Sequence, residues 1–153
     1  MFDEILGLPA HPLIVHAAVV LTPLLVVLSV VYALVTRTRA VLAWAVAGLA
    51  VAAPVAVLAA RQSGQALRGG DFSSVSGQLG LRIAEHESFA TPLLLAVLAL
   101  GVVSLVLVYL SRSGRVPRAA ETVLRALTVV LAAVSGYYVL RAGHSGAVAV
   151  WGN

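Results

Sequence analysis

Four stretches of this chain are too long, too apolar and too free of charge to serve as elements of a small soluble domain. Leu13 to Val35, Ala40 to Ala60 and Phe89 to Leu110 contain no Asp, Glu, Lys or Arg, and Ala119 to Leu140 contains only Glu121 and Arg125. About 20 apolar residues in helical form cross the hydrocarbon core of a bilayer. A helix also satisfies its own backbone hydrogen bonds, as a span must. Each run is therefore predicted to be a transmembrane helix. Composition agrees: 61% of residues are hydrophobic and 10% charged, against about 25% charged in a soluble domain. A chain of 153 residues with so few charges cannot coat a globule with polar groups. The expected architecture is a single integral membrane domain, an all-α transmembrane four-helix bundle running up-down-up-down.

The polar segments between the runs carry the local signals. In the lead, Pro9 and Pro12 flank His11, and the residue before a proline is pushed toward extended geometry. His11 is therefore expected off the helix, and His16 about one turn into it. Pro23 and Pro54 are expected to kink the first and second helices. Arg61 to Ser88 is the longest polar stretch. Its Leu79, Leu81 and Ile83 are too closely spaced for one helical face, so an irregular or short interfacial segment is expected. Gly69-Gly70-Asp71 reads as a turn. Thr91-Pro92 looks like a helix start, with Thr capping and Pro in the first turn; alternatively, the helix begins earlier and bends at Pro92. Glu121 and Arg125 are spaced to pair along a helix. Thr22-Pro23-Leu24-Leu25 is echoed by Thr91-Pro92-Leu93-Leu94, either a trace of a duplicated hairpin or a coincidence in a Leu-rich chain.

Charge sets the expected orientation. The net charge of +4 comes from ten basic residues, all Arg, against six acids. The Arg residues fall at the ends of apolar runs, without a basic stripe or interleaved aromatics, which excludes nucleic-acid binding. Alternating spans put Arg37, Arg39, Arg112, Arg115 and Arg118 in tight turns on one side. Arg61, Arg68, Arg82 and Arg141 fall on the other side, mixed with Asp3, Glu4, Asp71, Glu85 and Glu87. Basic residues in short loops mark the cytoplasmic side, so both termini are expected outside. The start, Met-Phe-Asp-Glu, has no basic segment of the kind that opens a cleaved signal peptide. The expected location is the cell membrane, as in a bacterial inner membrane.

All four histidines then fall on the outer side: His11 and His16 at the start of the first helix, His86 before the third, His144 after the fourth. Tyr137, Arg141 and His144 share one helical face if the last helix continues past Gly143, and would line one groove. Cysteine is absent, which excludes disulfides, thiolate metal sites, iron–sulfur ligation and covalent c-type haem. Imidazoles on facing helices suit a b-type haem. In that reading His16 pairs with His86 or His144, Arg141 or Arg82 meets the propionates, and the function is electron transfer. The alternative is a non-haem site for Zn, Cu or Fe built from His11, His16, His86 and His144, with Glu85, Glu87 or Asp71. It lacks any specific ligand spacing. A third reading leaves the histidines as interface residues of a structural or accessory subunit. Channel and transporter readings are disfavoured because no acidic or polar group is evident at mid-membrane. Ser145 beside His144 has no nucleophile-elbow motif and no orienting acid. The expected partners are the lipid bilayer, a separate redox protein and, at most, a second copy of the chain.

The segment Leu8-Pro9-Ala10-His11-Pro12-Leu13-Ile14-Val15-His16 resembles the opening signature of the membrane proteins grouped as domain of unknown function 2231. His86 stands where that family has a histidine opening its third span. Gly136-Tyr137-Tyr138-Val139-Leu140-Arg141-Ala142-Gly143-His144 resembles its closing stretch. The resemblance runs over roughly the whole chain, with Ala17 in place of the usual aromatic. It implies four spans and, because relatives are sometimes joined to Rieske or cytochrome c-type domains, redox work with a separate partner.

Overall fold

A computed structural model describes residues 4–5, 8–70, 75–114 and 117–152. Two short strands, β1 (Glu4–Ile5) and β2 (Leu8–Pro9), pair antiparallel ahead of the first helix. The remainder is helical: α1 (Ala10–Leu34), a 3-10 turn (Thr36–Thr38), α2 (Arg39–Gly69), α3 (Gly77–Ser88), α4 (Ala90–Ser113) and α5 (Arg118–Trp151). Among the described residues, α1, α2, α4 with α3 leading into it, and α5 form four helices long and apolar enough to cross a membrane.

Local chemistry explains most boundaries. α1 opens at Ala10 with Pro12 in its first turn, where the missing N–H has no intrahelical partner to lose. His11 is therefore on the helix, contrary to the expectation from its flanking prolines. α1 stops at Val35, which turns extended (φ −107°, ψ 90°). The Thr38 hydroxyl donates to the Val35 carbonyl over 2.8 Å and closes the turn. α4 ends at Gly114, whose φ of 65° is the left-handed conformation that glycine adopts without steric cost. α2 and α5 run well beyond their apolar runs, to Gly69 and Trp151. The stretch expected to be irregular holds the regular helix α3. Its Leu79 and Leu81 are 42% and 73% exposed, so no apolar face is needed. Instead α3 is fixed to α5 through Arg82 and His86. Phe89 links α3 to α4 in near-helical geometry (φ −82°, ψ −17°). Pro92 is in the first turn of α4, as expected, but Thr91 does not cap it; its hydroxyl accepts from Arg61 Nε at 3.1 Å.

α1 packs on α2 and α5, and α4 packs on the same two, while α1 and α4 touch across the centre. There the Ser104 hydroxyl donates to Ser29 Oγ at 3.0 Å. Buried Ala18, Ala33, Ala43, Ala50, Ala53, Ala96 and Ala132 line the packed faces, and small residues let helices approach closely. One close approach of two helices is at Gly101. A Cβ added there would lie 2.6 Å from the Ala50 carbonyl oxygen. That carbonyl would ordinarily accept from residue 54, but Pro54 has no N–H to give. The freed oxygen turns into the interface and only a bare Cα fits against it.

The two long-helix pairs share a repeated pattern of residues. The separation between His11 and His86 also separates Leu25 from Leu100, Val27 from Val102, Ser29 from Ser104, Val31 from Val106 and Arg37 from Arg112. A second constant separation relates Leu42 to Leu124, Leu49 to Leu131, Ala50 to Ala132, Val57 to Val139, Ala60 to Ala142, Ser63 to Ser145 and Gly64 to Gly146. Burial repeats in the same register: Ala18, Thr22, Leu25, Ser29, Tyr32 and Ala33 of α1 match buried Leu93, Val97, Leu100, Ser104, Leu107 and Val108 of α4. The Thr-Pro-Leu-Leu echo is not this register, since Thr22 matches Val97 and Thr91 matches His16.

Candidate cofactor site

One end of the bundle gathers the start of α1, the ends of α2 and α3 and the last turns of α5. Ser63 of α2 is buried, and its hydroxyl donates to the Ala60 carbonyl of its own helix at 3.0 Å. Ser145 of α5 is buried too and donates to the Ala142 carbonyl at 3.1 Å. Such back-bonding to the preceding turn is a common use of a helical hydroxyl. It spends the hydroxyl hydrogen and leaves the oxygen as an acceptor.

Two imidazoles use those acceptors in the same way. His11 Nδ1 is 2.9 Å from Ser63 Oγ, and its ring also bonds the Ala60 backbone. His86 Nδ1 is 3.1 Å from Ser145 Oγ and 3.0 Å from the Ala142 carbonyl oxygen. The Ala142 carbonyl can only accept, so His86 Nδ1 is the donor there; the Ser63 hydroxyl hydrogen is committed to Ala60, so His11 Nδ1 donates to Ser63 Oγ. The residue after each serine is glycine. A Cβ at Gly64 would sit 3.0 Å from His11 Cε1, and one at Gly146 3.0 Å from His86 Cε1. Each ring thus lies over a bare Cα. Residue for residue, the two halves form one histidine cradle twice.

The two cradles are close enough to interact. Burial holds the His11 pKa below its ordinary 6.5, and the charge that His86 can carry lowers it further, while the bond to Ala60 opposes both. His11 is therefore a neutral imidazole at neutral pH, the form in which histidine binds metals.

The other predicted site residues lie differently. His16 is exposed on α1 and His144 is exposed on α5. α5 does continue past Gly143 and puts Tyr137, Arg141 and His144 on one face, but that face is exposed and does not line an interior groove. Arg141 lies over the Phe89 ring, 5.1 Å from its centroid, and 3.8 Å from Glu85 Oε1. Arg82 donates to the Val148 and Gly152 carbonyls, and Glu87 pairs with Arg68. Asp71, a suggested ligand, and Arg115 lie outside the described residues. Among the described residues no three of His, Asp and Glu come together as a metal-ligand set.

Ser63-Gly64 and Ser145-Gly146 are the partners that residue-type reasoning passed over. Their signal was present in the sequence: the same dipeptide closes each hairpin. The bundle interior also holds hydroxyls at Thr22, Ser29, Ser104, Thr128 and Ser135, all buried, which hydropathy alone hides inside apolar runs. No protein family, curated protein or solved structure gives a match to this chain.

Proposed function

We propose that this chain is a multi-pass membrane protein that holds a b-type haem between His11 and His86 and transfers electrons. Support for the membrane setting comes from faces that look outward yet are apolar: Val41, Val102, Val130 and Leu140 are all more than half exposed, and a helix apolar all round belongs in lipid or in a larger core. With four spans alternating, the Arg-rich turns lie in the cytoplasm and the histidine end outside.

The observation that carries the haem reading is the doubled cradle. A metal-binding histidine typically donates its other ring N–H to a carbonyl or carboxylate, which fixes the tautomer and aims the ligating nitrogen. Both rings have that support, from Ala60 with Ser63 and from Ala142 with Ser145. The protein supplies two imidazoles here and, among the described residues, no group of three His, Asp or Glu that could hold a bare ion. Two imidazoles on facing helices would be enough to hold a b-type haem. When bound, it would supply one-electron iron chemistry. The histidines would fix its position, and the glycines would let the rings settle against the helices. Electrons would pass to a separate redox protein on the outer side.

Protein made with ample haem should show a Soret band and a pyridine haemochrome. His11→Ala and His86→Ala should each remove the bis-imidazole spectrum, while His16→Ala and His144→Ala should leave it intact. Protein that stays colourless after haem reconstitution would end the haem reading. A stoichiometric transition metal in that colourless protein, lost on His86→Ala, would establish the bare-ion alternative.

A further inference from the structure

The opposite end of the bundle carries a second feature. Between α2 and α4 runs an open groove of about 520 Å³, lined by Ala43, Ala47, Leu105, Val108, Trp44 and Tyr109, with Arg112 and Ser113 at its mouth. Ala43 and Ala47 leave the slot open because their side chains end at Cβ. Trp44 and Tyr109 are 76% and 74% exposed and flank it as interface aromatics do. The Arg112 guanidinium stacks over the Trp44 ring, 5.4 Å from its centroid. Among the described residues it has no carboxylate within ion-pair distance, whereas Arg39 and Arg125 share Glu121.

The repeat provides an internal comparison. In the matching slot between α5 and α1, the position of Ala43 is held by Arg125, whose charge Glu121 already meets at 2.8 Å. The positions of Trp44 and Tyr109 are held by Ala126 and Leu34, and that of Arg112 by Arg37. One slot thus has a long side chain where the other has a methyl group. The other is open, aromatic-rimmed and left with a positive charge.

We infer that the α2–α4 groove seats one anionic phospholipid, its phosphate on Arg112 and an acyl chain along Ala43, Ala47 and Leu105. This rests on the membrane reading above, which puts this end at the cytoplasmic leaflet, where anionic lipids give a negative surface potential. A guanidinium already oriented by an aromatic ring loses little freedom on binding a phosphate, and an apolar slot beside it shelters the chain.

The test uses the full chain purified in mild detergent, delipidated, and titrated with phosphatidylglycerol or phosphatidylcholine under native mass spectrometry. Wild type should bind one phosphatidylglycerol about tenfold more tightly than phosphatidylcholine, the size of one charge-assisted contact. Arg112→Gln should abolish the preference, and Arg37→Gln, which removes the same charge from the matching position, should keep it. Ala47→Leu, which fills the slot without changing charge, should weaken binding of both lipids, with circular dichroism confirming that the helices persist. Equal binding of the two lipids to wild type, a retained preference in Arg112→Gln, an equal loss in Arg37→Gln, or undiminished binding by folded Ala47→Leu would each overturn the assignment. A chain that stays in solution without detergent would defeat the membrane reading instead.

Discussion

Gly101→Ala tests the contact on which the two hairpins close. In an open helix the change is favourable, since Ala exceeds Gly in helix propensity by about 1 kcal/mol. At this position the new methyl would lie 2.6 Å from the Ala50 oxygen and 3.5 Å from Pro54 Cγ. The obstacle is backbone, so it cannot rotate aside; α2 and α4 must separate or slide. Overpacking of this kind costs about 1–3 kcal/mol, and a rigid obstacle puts it at the upper end. Net of propensity, Gly101→Ala should destabilise by about 1–2 kcal/mol, or about 2–8 °C in melting temperature for a chain of this size. Gly48→Ala is the control, because a Cβ there meets nothing within 4 Å. It should match or exceed wild type. Thermal denaturation of the three proteins in one detergent, followed by helical ellipticity, provides the comparison. If Gly101→Ala melted with Gly48→Ala, the proposed close approach between α2 and α4 would be wrong.

Three further predictions concern the site and the far end. Ser63→Ala and Ser145→Ala each remove a hydroxyl that accepts from a histidine Nδ1–H; each should weaken haem or metal retention by about 10–100-fold, as outer-shell changes do, and the two losses should be alike because the cradles are. His11 has a folded pKa below its ordinary 6.5; as pH falls below that ordinary value, the unfolded chain takes up a proton that the folded chain refuses, so stability should fall until pH passes the lower folded pKa and then level off. Melting temperature against pH, in wild type and His11→Gln, should show the slope flattening in the variant. Glu121→Gln strips the shared acid from Arg39 and Arg125, whose side chains are 15% and 33% exposed. Allowing for that partial exposure, the loss should be about 1–3 kcal/mol, while Glu87→Gln, at the more exposed pair with Arg68, should cost under about 1 kcal/mol.

Hydropathy made four helices legible, along with the turns that separate them, because charge is confined to the ends of the runs. It could not show where α2 and α5 stop. Gln62, Gln65, Ala66, Leu67 and Arg68 are good helix formers, so α2 persists after the apolar run has ended. The histidine end was legible for a related reason: alternation alone places all four at one end. Which of them turn inward was not legible, because α1 is apolar on every side and hydropathy marks no inner face. Small and hydroxylated residues mark it instead. His11, Ala18, Thr22, Leu25 and Ser29 recur at intervals of seven, four, three and four along α1, and the four last-named are buried. His16 falls outside that stripe and is exposed. Depth along the helix favoured His16 as a ligand, whereas direction around it favours His11.

The two halves agree at some matching positions and differ at others. Agreement at the histidine end includes the whole cradle, where His11, Ala60, Ser63 and Gly64 recur as His86, Ala142, Ser145 and Gly146. Disagreement falls where the hairpins must recognise each other, and there it is complementary. Arg39 matches Glu121 in the repeat, and the two pair with each other across the bundle at 2.6 Å. Gly101, pressed against Pro54, matches Val26, which lies against Gly136, and Gly136 in turn matches Pro54. Bulk and absence of bulk have exchanged helices. Two copies of the first hairpin would set Arg39 against Arg39 and Val26 against Pro54, and two copies of the second would set Glu121 against Glu121. Unlike pairing is then favoured by what each like pairing would cost, as in other interfaces that discriminate through repulsion as well as contact. These differences favour the pairing of each hairpin with its unlike partner.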